Sequence, residues 1–316
     1  MVVIKGGKGT GTITRHDSNT GEVTYIYIDS LSDLLNLVLG EKFEVVMPDY
    51  LTFKAEAEQT FSLSKEVETF EYSVNGTKWT DLGINTITFG GEKGELRLRG
   101  KSLKGSTGAT ISFGEASVLV AASGDIRTLV DYEKYTDDAL DTSNAYFAHL
   151  FKNCTVLTSS PKLPIQNLSF EAYACMFEGC TNLTKAPELP AITELSWGCY
   201  YAMFKDCTSL ESAPTLPAAV MGPNCYSHMF YGCTSLTEAP VIAATTTAQW
   251  ACYNMFYGCK SLLNLNVSSF NTTNTINIGG MFNRCESLGK LDLSSFNTSN
   301  INSMASLFYN CKSLTE

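Results

Sequence analysis

The eleven cysteines are the residues of this sequence best suited to metal or redox chemistry, and all of them lie between Cys154 and Cys311. Zinc sites use closely spaced pairs such as C-x2–4-C, whereas seven of these cysteines recur every 26 or 27 residues. Stacked repeats would bring neighbouring positions about 4.8 Å apart, which permits disulfides without requiring them. Because cysteine is among the most buried residue types, we predict a column of buried apolar thiols. The other four, whose disulfide state stays open, are Cys175, Cys199, Cys225 and Cys252.

The histidines and a glycine-rich segment are weaker candidates for chemistry. His16, His149 and His228 stand far apart and in unrelated contexts, so they indicate neither a metal site nor an acid–base pair. Residues 6–11 (GGKGTG) resemble a phosphate-binding loop, but they lack the G-x4-G-K-[ST] spacing of one. We therefore expect no phosphate site there.

Carboxylates offer no better site. The acidic cluster of Asp131, Asp137, Asp138 and Asp141 lacks the alternating ligands and the glycine of an EF-hand loop, so we expect a solvated segment rather than a calcium site. Residues 147–316 contain only ten acidic residues and no recurring pair that would suit glycoside hydrolysis. The sequence therefore predicts no catalytic residue, no metal and no cofactor, and we expect that the protein is not an enzyme.

The period of the cysteines is the period of a repeat that fills residues 147–316. A phenylalanine stands three places before each cysteine of the series, and a leucine stands three places after it. Repeat positions are numbered here from that phenylalanine as zero, which puts the cysteine at +3 and the leucine at +6. The phenylalanines are Phe151, Phe177, Phe204, Phe230, Phe256, Phe282 and Phe308.

Each unit of about 26 residues is predicted to contain a short helix and a short strand. The apolar positions −4, −1, 0 and +3 follow the i, i+3, i+4, i+7 spacing of one helical face. Position +2 is Asn, Asp or Gly in all units but one, Arg284, and these residues tolerate the left-handed conformation that ends a helix. Alternating apolar residues such as Leu291 and Leu293 suggest a strand, which prolines at +10 and +13 confine to a very short segment in units two to four. Such units must stack to bury their apolar faces.

The repeat resembles a known family. Residues 229–240 (MFYGCTSLTEAP) resemble the BspA-type leucine-rich repeats of bacterial surface proteins, and residues 291–300 (LDLSSFNTSN) are similar to a sister variant. The resemblance implies a curved solenoid and a family whose characterised members are adhesins that bind host proteins. We predict a solenoid over residues 147–316 whose last unit is incomplete, and we suspect that the chain is a fragment.

The first half of the chain has the sequence pattern of a different kind of module. Short alternating stretches and the hairpin signal Asn75–Gly76 predict an all-β, sandwich-like module over residues 48–125. Residues 1–47 are predicted to form a leading hairpin and a helix over residues 30–39, and residues 126–146 an acidic linker or cap. The predicted fold class is therefore α+β: an all-β module followed by a helix–strand leucine-rich-repeat solenoid. This half also resembles the leader modules found beside such repeats in gut-bacterial and phage proteins.

Composition removes several classes of function. The chain has 316 residues and a net charge of −10, with no basic cluster for nucleic acid and no apolar run that could span a membrane. We expect a non-enzymatic, extracellular or cell-surface adhesion protein for host or cell-surface proteins or glycans. The alternative is a phage tail-fibre or receptor-binding virion protein, because no signal-peptide pattern is visible. Aromatic and polar side chains suit such binding, and the candidate residues are Tyr231, Tyr257, Tyr309, Trp197, Trp250, Lys185, Glu211, Glu238 and Asn264.

Overall fold

The computed structural model describes residues 2–3, 11–16, 23–28, 43–46, 48–76, 78–101, 108–137, 140, 142, 146–267, 270 and 272–315. A four-stranded sheet comes first, in the order β1-β4-β2-β3, and its β2 and β3 pair antiparallel as the predicted hairpin. The strands are β1 (Val2–Val3), β2 (Gly11–His16), β3 (Val23–Ile28) and β4 (Phe43–Val46). The predicted helix over residues 30–39, most of the glycine-rich segment, Asp138 and Asp141 lie outside the described residues.

Two further sheets share one core in the module that follows. The larger has the order β13-β12-β5-β10-β7-β8 and the smaller the order β11-β6-β9. Their strands are β5 (Leu51–Lys54), β6 (Gln59–Leu63), β7 (Phe70–Val74), β8 (Thr80–Asp81), β9 (Ile87–Phe89), β10 (Leu96–Gly100), β11 (Ile111–Phe113), β12 (Val120–Ser123) and β13 (Leu157–Ser159). Two 3-10 turns, η1 (Gly91–Lys93) and η2 (Ile126–Leu129), complete the module.

Aromatic rings fill the space between these two sheets. Phe53 on β5 lies 5.7 Å from Phe61 on β6 and 5.5 Å from Phe113 on β11, ring centroid to ring centroid. Burial alternates along β6 and β10, because successive side chains of a strand point to opposite faces. This arrangement is compatible with the sandwich-like module that the alternating sequence predicts.

The remaining residues form a stack of seven repeats, called the repeat stack below, whose backbone amides alternate between two kinds of partner. In the repeat of Phe204, the amides of Ala202, Phe204 and Asp206 donate to carbonyls of the next repeat at 2.7–3.0 Å. The amides between them, such as those of Met203 and Lys205, donate to the carbonyl three residues earlier in their own repeat. Each repeat therefore closes its own turns and is bonded to its neighbour along the same segment.

The prediction of a helix–strand leucine-rich-repeat solenoid is wrong. The described residues contain no α-helix, and the segment expected to be helical is a series of turns. Left-handed backbone recurs every four residues there, at positions −6, −2 and +2, for example at Gly198 (φ 61°), Ala202 (φ 51°) and Asp206 (φ 59°). A helix cannot contain such residues. The spacing i, i+3, i+4, i+7 was nevertheless informative, because turns that repeat every four residues bury the same positions as a helix does.

The strand predicted in each unit is also reduced in the structure. Only the first repeat contributes a strand, β13, and elsewhere in the described part of the stack neighbouring repeats meet through isolated parallel bridges. One ladder of such bridges runs along position +8, from Lys185 through Ser212, Glu238 and Asn264 to Lys290. In repeats two to four, proline follows this position by two residues, which ends the pairing there.

The interior of the stack is a set of columns, and those at positions 0, +3 and +6 each hold one residue type. The phenylalanine rings at position 0 lie 5.3–6.4 Å apart and nearly parallel. All eleven cysteines are free thiols, and those at +3 are buried except for the partly buried Cys311. Each +3 thiol from Cys180 onward donates to the carbonyl oxygen of the preceding repeat's phenylalanine, at 2.9–3.2 Å. The predicted column of buried thiols is therefore confirmed.

The β-module covers the first end of the stack with the same bonds that join one repeat to the next. The thiol of Cys154 donates to the carbonyl of Ile111 on β11 at 3.1 Å, where later cysteines use a phenylalanine carbonyl. The Ile111 amide in turn donates to Leu150, and β12 pairs in parallel with β13. The edge of the all-β module therefore takes the position of a repeat.

Candidate functional site

A polar groove of the repeat stack follows the side chains at position +1. Lys152, Glu178 and Lys205 occupy this position in the first three repeats. Lys152 Nζ lies 2.8 Å from Glu178 Oε2, and Lys205 Nζ lies 2.9 Å from Glu178 Oε1. One carboxylate therefore holds two ammonium groups that belong to the repeats on either side of it.

The charge of Glu178 depends on these two lysines. Burial would raise the pKa of Glu178, but the hydrogen bonds and positive charges of Lys152 and Lys205 outweigh it, and the pKa lies below the ordinary value. Glu178 is therefore ionised at neutral pH.

Position +1 changes from charged to aromatic at the fourth repeat. The rings of Tyr231 and Tyr257 stack at 4.4 Å with an angle of 3° between their planes, as the sequence predicts for tyrosines in consecutive repeats. Lys205 Nζ lies 5.9 Å from the Tyr231 ring centroid, within the range of a cation–π contact. Lys205 and Tyr231, with Tyr201 and others, line a groove of 500 Å³, and Tyr257 stacks on Tyr231 beside it.

Position −2 lines the same groove in the second to fifth repeats, and it brings together a cluster that sequence reasoning missed. His149 and Cys175 occupy it in the first two repeats, and Glu178 follows Cys175 by one turn. A ring nitrogen of His149, the Cys175 sulfur and a Glu178 carboxylate oxygen all lie within 4.8 Å of one another. The signal in the sequence is that His149 and Cys175 have the same repeat position, which stacking converts into contact.

The protonation of this cluster follows from its partial burial. Burial raises the pKa of the Cys175 thiol to about 12, and the neighbouring Glu178 carboxylate adds to the shift. Burial lowers the pKa of His149, and the charge of Lys152 acts in the same direction. At neutral pH the cluster therefore holds a thiol, a neutral imidazole and a carboxylate.

His228 also stands at position −2, two repeats beyond Cys175, so two of the three histidines share a context after all. Its Nδ1 lies 2.9 Å from Ser227 Oγ and its Nε2 lies 3.2 Å from Asn254 Nδ2. Burial lowers the pKa of His228 to about 4, with a further contribution from the charge of Lys205. The ring is therefore neutral at physiological pH.

The two predicted tryptophans lie on another part of the surface. Trp197 is 39% exposed and stacks on Phe170, which is 51% exposed, at 4.6 Å and 5°. Sequence reasoning missed Phe170, although it stands at −7, the same position as Trp197. Trp250 stands at −6 and makes an edge contact with Tyr253 at 5.3 Å. These aromatics do not line the groove at position +1.

The predicted polar residues form a third region. Lys185, Glu238 and Asn264 are exposed and lie on the bridge ladder at +8. Glu211 stands one residue before the ladder, where the register places Ser212 instead. Glu238 and Asn264 line a separate groove of 290 Å³, whereas Lys185 lines one of 610 Å³ that is rich in proline.

The structure thus distributes the predicted binding residues over several columns instead of one site. Tyr231 and Tyr257 are brought together, whereas Tyr309, in the same column, is separated from them by Asn283 and is 57% exposed. Their role in binding stays a prediction.

Comparison with known proteins gives one match. Residues 224–316 match the model of a family described as Mycoplasma protein of unknown function, DUF285. No curated protein and no solved structure matches the chain. Within the part of the chain that the structure describes, no helix has the length and hydropathy that a membrane span requires.

Proposed function

We propose that this protein is a non-enzymatic, cell-surface adhesion protein that binds host or cell-surface proteins or glycans through its repeat stack. The observation that carries the proposal is the +1 column, in which Lys205 and Tyr231 line one groove and Tyr257 continues the column by stacking on Tyr231. Stacked tyrosines offer a large contact area at a small cost in side-chain entropy, and lysine adds a point charge.

Two further observations support this proposal. The BspA-type resemblance extends over residues 147–316, and the residues that match the DUF285 model all fall in this stack. The +3 thiols donate hydrogen bonds to backbone carbonyls inside the stack, so they serve packing. A surface built from many weak polar and aromatic contacts suits recognition of an extended partner.

The test is a glycan and matrix-protein array probed with the intact chain, followed by affinity measurements on the partners found. We expect the double variant Tyr231→Ala/Tyr257→Ala to weaken binding by about 30-fold or more, the loss typical of a central aromatic contact. Leu119→Ala, which removes an exposed apolar side chain from the β-module, is the control and should leave affinity unchanged.

Three outcomes would overturn the proposal. The first is an array without any partner, and the second is binding that the double tyrosine variant leaves intact. The third is cleavage of a bound glycan by the purified protein, because that would make the protein an enzyme.

A further inference from the structure

The cluster of His149, Cys175 and Glu178 is positioned by backbone that the repeat fixes. His149 (φ 64°) and Cys175 (φ 54°) have the same left-handed conformation in consecutive repeats. The His149 amide donates to Ala174, the residue before Cys175, at 2.9 Å, and the Glu178 amide donates to the Cys175 carbonyl at 3.2 Å. All three side chains therefore leave from backbone whose relative position is set by hydrogen bonds.

Cys175 differs from the cysteines at position +3 in its partner. Those thiols donate to backbone carbonyls inside the stack, for example Cys207 to Phe177 at 3.0 Å. The Cys175 sulfur instead neighbours a carboxylate and an imidazole and lines the groove. The Cys175 sulfur is thus surrounded by side chains of the types that bind metal ions.

The donor set selects the type of ion. Imidazole nitrogen, thiolate sulfur and carboxylate oxygen are together the ligands of zinc, whereas calcium and magnesium require oxygen. A tetrahedral zinc ion, with bonds of about 2.0–2.3 Å, needs its ligands about 3.5 Å apart. Since the three ligand atoms lie within 4.8 Å of one another and His149 is exposed, a small side-chain movement brings them into place.

We propose that His149, Cys175 and Glu178 bind one zinc ion, which crosslinks the first two repeats and leaves its fourth position open to the groove. Equivalent positions elsewhere do not offer this set: the next repeats have Ala202 with Lys205, and His228 with Tyr231. The site is therefore confined to the first interface between repeats.

The two lysines on Glu178 set the strength of this site. A carboxylate has about four lone-pair positions, so Glu178 can ligate an ion while it still accepts hydrogen bonds from Lys152 and Lys205. Their positive charges oppose the cation, however. Lys152→Met, which removes one of these charges, is therefore expected to tighten zinc binding.

The test is a titration of the intact, reduced and metal-free protein with zinc by calorimetry, and with cobalt by absorption spectroscopy. We expect one zinc ion per chain and, with cobalt, a sulfur-to-metal charge-transfer band. Cys175→Ala should lose the band, and His149→Ala and Glu178→Gln should weaken zinc binding by about tenfold or more, a lower bound for loss of a direct ligand.

Two control variants keep the result specific. His228→Ala removes a histidine from the same repeat position, and Cys199→Ala removes a buried cysteine outside the cluster; both should bind zinc like the parent protein. The proposal is overturned if the parent protein binds no zinc, if Cys175→Ala and His149→Ala retain its affinity, or if the controls lose binding to the same extent. Melting curves of each variant without metal check that it is folded.

Discussion

Interior positions 0, +3 and +6 hold the same residue type in all seven repeats, whereas the outer positions −2 and +1 change from repeat to repeat. Position −2 passes through His, Cys, Ala, His, Asn, Gly and Ser, and position +1 through Lys, Glu, Lys, Tyr, Tyr, Asn and Tyr. Yet the backbone at position −2 is left-handed throughout, from His149 to Ser306. The side chains at the outer positions therefore vary from repeat to repeat, whereas the conformation of the backbone that carries them is constant.

The difference shows how the stack separates stability from recognition. Uniform rings at position 0, parallel to within 9°, keep every repeat in the same orientation. An outer substitution then changes one surface position without moving the next, because each repeat contacts only its neighbours. Charge, aromatic contact and metal-binding side chains can thus be placed one repeat at a time.

The largest effect is expected where an interior column is interrupted. Phe204 is fully buried, with Phe177 and Phe230 stacked on its two faces at 5.7 and 5.8 Å. Phe204→Ala should lower the free energy of unfolding by about 3–5 kcal/mol, because it removes a buried ring and leaves a cavity. Urea unfolding followed by circular dichroism measures the change.

The matched outer variant is Tyr231→Ala. It removes one stacked pair at a half-buried position, and such a pair is worth about 0.5–1.5 kcal/mol. Equal losses in the two variants would contradict the separation of interior from surface.

The sequence alone predicts which residues form the interior of the repeat stack, but it does not predict the path of the backbone. The period, the buried thiols, the left-handed residues at +2 and the Tyr231–Tyr257 stack are all confirmed. The helix is wrong because burial spacing does not distinguish a helix from turns that repeat every four residues. The two backbones differ at positions −6 and −2, which are left-handed in the structure. Trp250, Cys175 and Ala202 stand there, and because these residue types do not favour the left-handed conformation, the sequence does not indicate it.

The candidate site could be predicted only in part, for a related reason. Tyrosines at one repeat position predict a stack without any knowledge of the turn. The cluster of His149, Cys175 and Glu178 combines two positions, −2 and +1, which are three residues apart and would share one face of a helix as well. The approach of the three ligand atoms to within 4.8 Å of one another depends on the path of the backbone and is given only by the structure.

A smaller effect is expected at position +2, where the conformation is constant but the residue type is not. Gly258 has φ 74°, and a Cβ there would meet nothing closer than 3.8 Å, so only backbone strain opposes Gly258→Ala. We expect a loss of about 1 kcal/mol in the free energy of unfolding, measured in urea. Arg284→Asn is the reverse test at an exposed residue with φ 59°. It should stabilise the protein slightly, and a loss there would contradict left-handed strain as the cause.

A further effect concerns pH and His228, an outer residue that is packed like an inner one. The Ser227 and Asn254 side chains contact its nitrogens, the rings of Tyr201, Tyr231 and Tyr253 lie around it, and the charge of Lys205 acts on it. Its pKa is about 4 in the folded chain and 6.5 in the unfolded one. Below pH 6.5 only the unfolded chain takes up the proton, so stability present above pH 6.5 is lost as the pH falls toward 4.

His228→Asn should remove this part of the pH dependence, because asparagine does not titrate and tolerates the left-handed backbone at φ 58°. The measurement is the free energy of unfolding at pH 7 and at pH 5, in the same salt and without metal. We expect the difference between the two pH values to be smaller in the variant than in the parent protein. Between pH 7 and pH 8 the two proteins should show nearly the same change, since His228 is mostly deprotonated there in the unfolded chain and fully so in the folded one. If the pH 5 difference is unaltered, the His228 ring is hydrated enough to titrate normally, and the outer columns are then uniformly exposed.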